Sequence, residues 1–498
     1  MGFSKIRKKL SEGVLLASAA CCVFAYCIFL QFIAPVFYES DSYYHIAVSG
    51  FIKNFGWHYN FHWAQFSVYK DFFADKDFLF HLSTVPFLAF SNDPVIAGKF
   101  AILFYNLFFI SAFIFILKKY LPGYLAACFL LLPFLSTTFT LYLTYLRSYT
   151  LANIFTFLGI YFLIKKKWPG VFFISLFYAL THTSFFTIVV FAFVCEIIRW
   201  LFFKDFLRRN IYAAVLGVIL GCLIHPDFPN NLLYIHLQFL VINSANKGLD
   251  LKLGSELFSF PAARVFIENF AVLFSLNLVL WAAFFSKKRI SFSTAVWFAC
   301  ANFYLLLALS ANRHWYAVNI LFFIGLASYL KDLKGDRPWE EFNRKINFFI
   351  LGYLILILFY FPGAIKNLAG NIDRSIRLGN HYKDVSFWMK THIPPGQLIY
   401  HNYWSDPSYF LCFNPNNDYL VVLDPFYMYH RYPELYLFYL DLSKGNVDNI
   451  YDSLNNIFKV NYGYTRKDNL FCTKVMNDPS HFNILYEDDL GIVFDLKK

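Results

Sequence analysis

The chain has 498 residues, of which 58% are hydrophobic and only 15% are charged, and its formal net charge at pH 7 is +11. Soluble domains are about half apolar and a quarter charged, so this composition excludes an ordinary soluble protein and indicates a polytopic membrane protein. The basic residues fall in small clusters between apolar runs, where membrane topology explains them better than nucleic-acid binding does. Two of the nine cysteines, Cys412 and Cys472, lie in the polar C-terminal part, and the sequence leaves open whether they pair.

The N-terminus combines a basic head with an apolar run from Val14 to Val36. A run of this length is sufficient to cross a bilayer. A cleaved signal peptide would have a shorter run and a small-residue cleavage site, so we expect an uncleaved first membrane helix. Basic residues favour the cytoplasmic side, which places the N-terminus in the cytoplasm and the residues after Val36 on the outer face.

Further apolar runs predict about eleven membrane-spanning helices in all. Under this assignment every basic cluster of three or more residues falls on the cytoplasmic side. The run from Phe78 to Phe90 is too short to span comfortably, and we expect it to be re-entrant or to lie along the surface. After the first helix, the predicted spans are 95–117, 122–140, 149–164, two short helices within 170–203 that divide near His182, 211–225, 265–285, 291–311, 317–330 and 346–362.

Two polar loops, 37–94 and 226–264, are predicted on the outer face. From residue 364 the composition becomes polar, with turn pairs and short alternating apolar runs, so we expect a transmembrane domain over 1–363 and a small external α/β domain over 364–498. The predicted strands of that domain are 397–401, 419–423, 484–486 and 491–494, and its predicted helices are 383–391, 433–442 and 447–458.

The stretch from Phe37 to His45 follows the first helix and reads Phe-Tyr-Glu-Ser-Asp-Ser-Tyr-Tyr-His. Ionisable groups at a membrane boundary cost free energy unless water, a metal or a partner satisfies them. One interpretation is that Asp41 caps the next helix and that the tyrosines belong to an interfacial aromatic belt. The other is that Asp41 has a catalytic role.

Polar residues from three outer loops are expected to gather at one membrane face. Carboxylates there can bind a divalent ion or act as a general base, and the guanidinium of Arg313 matches the oxygens of a phosphate. The structural alternatives are a solvated acidic loop, hydrogen-bonding histidines and an interfacial arginine anchor. The candidates are Asp41, His45, Asp71, Asp75, Asp77 and His81 in the first loop, His225, Asp227 and Glu256 in the second, and Arg313 in the third.

With these residues in place, the chain resembles glycosyltransferases of the GT-C superfamily, which include the catalytic subunits of oligosaccharyltransferases. Asp41 within Asp-Ser-Tyr-Tyr-His matches the acidic motif that follows helix one in that family. Asp75 and Asp77 match the second acidic site of the same loop. Glu256 is the candidate for the glutamate that a later loop supplies, and Arg313 lies where the family has an arginine that contacts the donor phosphate.

The resemblance implies an inverting membrane glycosyltransferase that moves a sugar or oligosaccharide from a polyprenyl-phosphate or polyprenyl-pyrophosphate donor to a glycan, lipid or protein acceptor on the external face. Asp41 would activate the acceptor, helped by Asp75, Asp77 and Glu256. The donor phosphate would be bound by Arg313 and His45, and the acceptor by Tyr44, Trp404 and Asp406. The family's Trp-Trp-Asp-Tyr-Gly acceptor motif is not intact, because residues 402–407 read Asn-Tyr-Trp-Ser-Asp-Pro.

Metal dependence is left open by the sequence. If a metal binds, we expect Mg²⁺ or Mn²⁺ held by Asp41, Asp77 and Glu256, since oxygen ligands suit these ions. Metal-free general-base catalysis is equally consistent with the residues.

Two other classes of function compete with the enzyme. A transporter or flippase would place charges near the bilayer midplane, whereas the charges here collect at one face and are scarce within the predicted spans. A non-catalytic membrane assembly protein, whose external domain binds a partner, would tolerate replacement of Asp41. For the enzyme we expect a bacterial inner membrane with a cytoplasmic N-terminus and a periplasmic C-terminal domain, in contact with membrane lipids and without nucleic acid.

Overall fold

The computed structural model describes residues 3–246, 254–258, 290–335 and 369–497, together with the single positions 261, 269, 273 and 366. Within these ranges the chain forms a helical bundle followed by a mixed α/β region. The predicted spans 265–285 and 346–362 lie almost entirely outside the described residues. All nine cysteines are free thiols.

The bundle helices follow the apolar runs of the sequence. Short 3₁₀ turns at Val85–Ala89, Leu132–Leu135, Thr183–Phe185, Ser255–Leu257 and Asn312–His314 connect several of them. The helices are α1 (Phe3–Phe32), α2 (Ser40–Phe55), α3 (Tyr69–Phe72), α4 (Phe78–Thr84), α5 (Pro94–Leu117), α6 (Gly123–Leu131), α7 (Thr137–Tyr142), α8 (Tyr149–Ile164), α9 (Trp168–Ala179), α10 (Phe186–Phe203), α11 (Arg208–Leu223), α12 (Asn230–Asn246), α13 (Phe292–Ser310) and α14 (Trp315–Lys334).

Five helical segments among the described residues are long and apolar enough to cross a membrane, and four shorter apolar helices accompany them. These segments make the chain a multi-pass integral membrane protein. The predicted number of eleven spans stays a prediction. The five are Ser11–Phe32, Pro94–Leu117, Thr183–Phe203, Phe292–Ser310 and Asn312–Lys334.

The predicted span 122–140 is not one continuous helix. α6 gives way to a 3₁₀ turn that contains Pro133, which lacks the backbone N–H that a helix interior needs. Ser136 then starts α7, because its side chain accepts a hydrogen bond from the backbone N–H of Phe139. The predicted division of 170–203 near His182 is confirmed, since α9 ends at Ala179 and α10 begins at Phe186.

The basic clusters lie together at one end of the bundle. α5, α8 and α10 are followed directly by Lys118, Lys165 and Lys204, respectively, at their C-cap positions. The side chain of Lys166 lies 3.7 Å from Asp205, and that of Lys331 donates to the carbonyl of Lys119 at 3.1 Å. The opposite end of the bundle carries the α/β region, and we call it the domain end.

The α/β region contains a five-stranded sheet in the order β2-β1-β3-β5-β4. β1 pairs in parallel with β2 and β3, while β5 pairs antiparallel with β3 and β4. The strand β3 was not predicted, because its polar, Gly-containing sequence lacks an apolar alternation. The strands are β1 (Leu398–His401), β2 (Asp418–Tyr419), β3 (Tyr462–Arg466), β4 (Phe482–Glu487) and β5 (Gly491–Leu496).

Helices flank this sheet close to their predicted positions. The predicted helix 383–391 is part of a longer helix, α15, over 369–392. The others are α16 (Asp406–Phe413), α17 (Phe426–Arg431), α18 (Pro433–Lys444), α19 (Ile450–Asp452), which continues as a π-helical turn over Ser453–Phe458, and α20 (Leu470–Met476).

The loop between α2 and α3 is joined to the sheet by backbone hydrogen bonds. The N–H of Gln65 donates to the carbonyl of Tyr419 at 2.9 Å, and the N–H of Phe66 donates to the carbonyl of Leu420 at 2.8 Å. In return, the N–H of Tyr419 donates to the carbonyl of Trp63 at 2.8 Å. The chain after β2 therefore pairs with this loop instead of continuing along β1. For this reason the predicted strand 419–423 ends at Tyr419 in the structure.

The predicted loop 226–264 contains a helix, α12, that the sequence reading missed. Its apolar residues are interrupted by asparagines and glutamine, which gave the segment the appearance of a polar loop. Tyr234 of α12 stacks on Tyr69 and lies 5.5 Å from the ring of Tyr427, so this helix connects the first loop to the α/β region.

Candidate functional site

Helix α2 carries the Asp-Ser-Tyr-Tyr-His motif directly after α1. The N-cap position is Glu39, in extended conformation (φ −151°, ψ 160°), and Asp41 is the second residue of the helix. The structure therefore does not support the interpretation of Asp41 as a helix cap. Residues four apart share a helix face, so α2 presents Asp41 and His45 on one side. Tyr43 packs at 4.5 Å on Tyr409 of α16.

Three carboxylates converge on one arginine, Arg147, at the domain end. Its guanidinium lies 2.6 Å from Asp41 and 2.8 Å from Glu256, and its Nε donates to Glu39 at 2.8 Å. It also donates to the Tyr149 hydroxyl at 2.8 Å. The structure thus brings together Asp41 and Glu256, two of the predicted catalytic residues, through a cation that the sequence reading did not single out.

The carboxylates around Arg147 differ in their electrostatics. Burial raises the pKa of Glu39 to about 7, against the lowering effect of Arg147. Burial also works to raise the pKa of Glu256, but the positive charges of Arg147, Arg313 and Lys76 outweigh it and hold the pKa below its ordinary value. Of these two carboxyls, Glu39 is therefore the one more readily protonated near neutral pH.

A second cluster, of histidines and aspartates, lies beside the first. His45 Nδ1 lies 2.6 Å from His81 Nε2, and His81 Nδ1 lies 2.7 Å from the carboxylate of Asp75. Asp77 accepts a hydrogen bond from the Ser148 hydroxyl at 2.6 Å. These histidines and aspartates are all at most 4% exposed. Because Ser148 follows Arg147 in the chain, the two clusters are connected.

The predicted metal ligands are not gathered into one site. Asp41 and Glu256 are paired with Arg147, whose positive charge opposes a cation there, and Asp77 faces the histidines instead. Among the described residues, the group whose ligand atoms lie within 4.8 Å of one another is His45, Asp77 and His81. Two imidazoles and a carboxylate suit Mn²⁺ or Zn²⁺ better than Mg²⁺.

The contacts of His81 fit a metal site in one further respect. Its Nδ1 is held by the carboxylate of Asp75, the arrangement that orients metal-binding imidazoles. Asp75 is fixed in turn, since its N–H donates to Asp227 at 2.8 Å and its carbonyl accepts from His225 Nε2 at 3.0 Å. Asp227 lies half-buried, and burial raises its pKa to about 6.

Arg313 and Lys76 lie within electrostatic reach of Glu256. Arg313 lies in the 3₁₀ turn that leads into α14, and the N–H of Asn312 donates to the carbonyl of Phe258 at 3.1 Å. This bond fixes the segment of Glu256 beside that of Arg313. A helix N-terminus and an arginine together favour an anion.

The predicted acceptor residues are divided. Tyr44 is buried with its ring 5.5 Å from His45 and 6.4 Å from His81, so it belongs to the histidine cluster. Trp404 faces the segment of Glu256, because a Cβ added at Gly254 would lie 4.0 Å from its indole.

Asp406 is placed differently. It is fully buried, and its Oδ1 accepts hydrogen bonds from Tyr382 at 2.6 Å and Arg466 at 2.5 Å. The aromatic rings of Tyr382 and Tyr409 stack at 4.2 Å between this pair and α2. Asp406 is thus an internal ion-pair partner of the α/β region.

Two residues of the site had only weak signals in the sequence. Arg147 is a lone arginine between apolar runs, and an ionisable residue at a membrane boundary is a functional hypothesis by default. Asp424, in the segment after β2, lies within electrostatic reach of Lys76 and Asp41, and burial raises its pKa to about 6. The backbone of this segment changes direction at Leu423, which has a φ of +72°. Only the tertiary fold brings the segment to the site.

Comparisons with known proteins bear on the fold. No protein-family model matches the chain, and no curated protein matches it by sequence. Among solved structures, it is similar to the apo oligosaccharyltransferase of Archaeoglobus fulgidus, with a TM-score of 0.58 and 13% identity over 94% of this chain and 70% of that one. The structure of the same enzyme tethered with an acceptor peptide containing the NVT sequon has a TM-score of 0.57 and 13% identity, over 92% of this chain and 69% of that one.

ArnT from Cupriavidus metallidurans bound to undecaprenyl phosphate is also similar, with a TM-score of 0.54 and 13% identity over 97% of both chains. The sequence-based resemblance is therefore confirmed at the level of the fold, which the chain shares with this oligosaccharyltransferase and with ArnT.

Proposed function

We propose that this protein is an integral membrane glycosyltransferase that moves a sugar or oligosaccharide from a polyprenyl-phosphate or polyprenyl-pyrophosphate donor to an acceptor at the outer membrane face. The observation that carries the proposal is the convergence of Asp41 and Glu256 on Arg147 at the end of an apolar bundle. That end is also where Arg313 precedes a long helix. The undecaprenyl phosphate bound to the similar ArnT structure supports a lipid-linked donor.

The donor phosphate is assigned to Arg313 and the N-terminus of α14. Lys76 adds positive charge, since it acts on both Glu256 and His182. His45, which the resemblance implies as a phosphate contact, is buried against His81 and is assigned to the histidine cluster instead. Cations that face the leaving group stabilise the negative charge that develops as the sugar departs.

Asp41 is assigned as the general base. In the transfer step, the acceptor oxygen attacks the anomeric carbon, the bond from that carbon to the donor phosphate breaks, and the acceptor proton passes to the Asp41 carboxylate. The lipid phosphate leaves with the electron pair. Arg147 lies 2.6 Å from the Asp41 carboxylate and orients it for this role.

A metal ion is compatible with the second cluster. His45, Asp77 and His81 would hold it, and a bound cation would supply fixed positive charge beside the acceptor. Asp75 then acts through His81, which it orients, and Asp227 and His225 fix Asp75.

A transporter is less well supported. The charged groups of the site lie at one end of the bundle rather than at mid-depth, where transporters bind their substrates. Glu196 and Arg199 of α10 form a charged pair in the last two turns of that helix, near the basic end, where both are at most 1% exposed and are satisfied by Asn210 at 2.8 Å and the carbonyl of Leu163 at 3.1 Å.

The proposal is tested by incubating the purified full-length protein in detergent with isotopically labelled polyprenyl-linked sugar donors. We expect sugar release or transfer that unlabelled polyprenyl phosphate inhibits competitively. Release that an excess of polyprenyl phosphate leaves unchanged would contradict the assignment of the donor site.

A further inference from the structure

Arg147 lies where a metal ion would bind among the carboxylates of the domain end. From the sequence we expect any Mg²⁺ or Mn²⁺ between Asp41, Asp77 and Glu256. In the structure, the guanidinium of Arg147 lies 2.6 Å from Asp41 and 2.8 Å from Glu256. A cation is therefore present between these two carboxylates, and it belongs to a side chain.

The contacts of Arg147 use the whole guanidinium. This group has five N–H donors, and its three nitrogens make five polar contacts. Nη2 contacts Glu39 and Asp41, and Nε donates to Glu39 at 2.8 Å. Nη1 donates to Glu256 and to the Tyr149 hydroxyl, both at 2.8 Å. The planar guanidinium thus holds three carboxylates at fixed places, which an ammonium could not do.

The segment that carries Arg147 is fixed on both sides. The N–H of Leu146 donates to the Ser42 hydroxyl of α2 at 2.9 Å, and the Ser148 hydroxyl donates to Asp77 at 2.6 Å. The two acidic motifs of the first loop therefore hold the arginine from either side. Asp77, the third expected metal ligand, is bound to Ser148 and faces the histidines.

The guanidinium and a divalent ion compete for the same oxygens. Mg²⁺ binds oxygen ligands at about 2.0–2.1 Å, so it could not lie among these carboxylates while the arginine nitrogens contact them. The repulsion between the two positive charges adds to this exclusion. Among the described residues, the ligand atoms that lie within 4.8 Å of one another belong to His45, Asp77 and His81. The carboxylates around Arg147 are thus spaced for a guanidinium and not for one metal ion.

We propose that Arg147 is the resident cation of this carboxylate cluster and that it excludes a divalent metal ion from Glu39, Asp41 and Glu256. The arginine is then the positioning residue for Asp41, in the place of a metal. The inference concerns these carboxylates alone, so a metal ion in the histidine cluster is compatible with it. It does not depend on the proposed function, because metal binding needs neither donor nor turnover.

The test is Mn²⁺ binding to the metal-free, full-length protein in detergent, with free Mn²⁺ followed by electron paramagnetic resonance. Every protein compared carries His81→Ala, which removes one ligand from the histidine cluster. In this background, Asp41→Asn should leave the amount of Mn²⁺ bound per chain unchanged at each concentration. Asp205→Asn is the matched control, because Asp205 is an exposed carboxylate at the basic end.

Removal of the arginine leads to the opposite expectation. Arg147→Ala, in the same background, leaves three carboxylates without their cation. We expect the Mn²⁺ affinity to rise by at least about tenfold, since affinity increases with the charge of the ligands. A further Asp41→Asn should cancel the gain. A general loss of structure would not produce a gain that depends on Asp41.

Two results would overturn the inference. One is a lower Mn²⁺ affinity in Asp41→Asn while Arg147 is present, because it would place a metal ion on the carboxylates of the intact cluster. The other is a folded Arg147→Ala protein that binds no more Mn²⁺ than its parent. If Arg147→Ala does not fold, the first comparison decides alone, since both of its proteins retain the arginine.

Discussion

At the scale of single residues, Arg147 organises the site. It is 12% exposed and contacts three carboxylates that come from different parts of the chain. Removing one partner from a buried ion pair costs more than the pair contributes, because the other charges stay behind without compensation. Arg147 is thus expected to support the fold of this end and to hold Asp41 in position.

We predict that Arg147→Leu destabilises the protein by about 3 kcal/mol. Arg147→Lys should recover only part of this loss, since an ammonium cannot contact three carboxylates in the planar arrangement of a guanidinium. Thermal unfolding in detergent measures both variants. Equal midpoints for Arg147→Leu and wild type would show that the cluster carries no stability.

Glu39 gives the site a dependence on pH. Its pKa is raised to about 7 in the fold and is about 4.3 in an unfolded chain, so the folded state binds the proton more tightly. The stabilisation from Glu39 is therefore fully present below about pH 4.3 and is lost as the pH rises through 7. The groups that face it are Asp41, Glu256 and Arg147.

Residue 39 is neutral at every pH in Glu39→Gln. We therefore predict that the stability of this variant falls less than that of wild type when the pH is raised from 5 to 7. A residual slope should remain from Asp227 and Asp424, whose pKa values are raised to about 6. Unfolding midpoints measured across this range test the prediction. Parallel curves for the variant and wild type would contradict it.

We predict that metal binding depends on the histidine cluster and not on histidines elsewhere in the chain. His81→Ala removes one of the three candidate ligands and should lower the affinity for Mn²⁺ or Zn²⁺ at least tenfold. His62→Ala serves as the control, because His62 is 51% exposed and pairs with Asp418. Calorimetric titration of the metal-free protein gives both affinities. Identical affinities would remove His81 from any metal site.

At the scale of elements, a lysine of α5 fixes the connection from α1 to the motif. Lys99 is 3% exposed, and its ammonium donates to the carbonyls of Gln31, at 2.6 Å, and Ala34. Carbonyls at the end of a helix lack intrahelical partners. Lys99 satisfies these at the end of α1 and so sets where α2 and Asp41 begin.

We predict that Lys99→Met, which keeps the apolar stem, destabilises the protein by about 1–3 kcal/mol because two carbonyls lose their donor. Lys53→Met is the matched control, since Lys53 is exposed and makes one 3.4 Å contact with the carbonyl of Leu88. The difference in unfolding midpoint between the two variants is the measurement. A control that loses as much as Lys99→Met would contradict the capping role.

Local patterns in the sequence predicted most of the described elements. The lengths of the apolar runs predicted the bounds of α5, α8 and α13 to within a few residues, because long apolar runs are stable only inside the membrane. α12 and β3 were missed, since their stability comes from distant partners such as Tyr427 and the strand β5. The same limit applies to the site: Asp41 and Asp75 lie in recognisable motifs, whereas Arg147 and Asp424 join them only through the tertiary fold.

At the scale of the whole molecule, the two ends of the bundle are chemically different. One carries the lysine and arginine clusters, and the other carries the carboxylates, the histidines and the α/β region. That asymmetry matches a protein that acts at one membrane surface on a substrate delivered from the lipid. The first loop and the segment after β2 are joined by backbone hydrogen bonds, and Asp41 and Asp424 come from these two segments to the same end.

In the proposed function, Asp41 is the base of a sugar transfer reaction. The most direct measurement compares sugar transfer from a labelled polyprenyl-linked donor by wild type, Asp41→Asn and Asp205→Asn, where Asp205 is an exposed carboxylate at the basic end. We predict that Asp41→Asn lowers kcat about 10²–10⁴-fold while Asp205→Asn does not. Undiminished turnover by Asp41→Asn would contradict the claim.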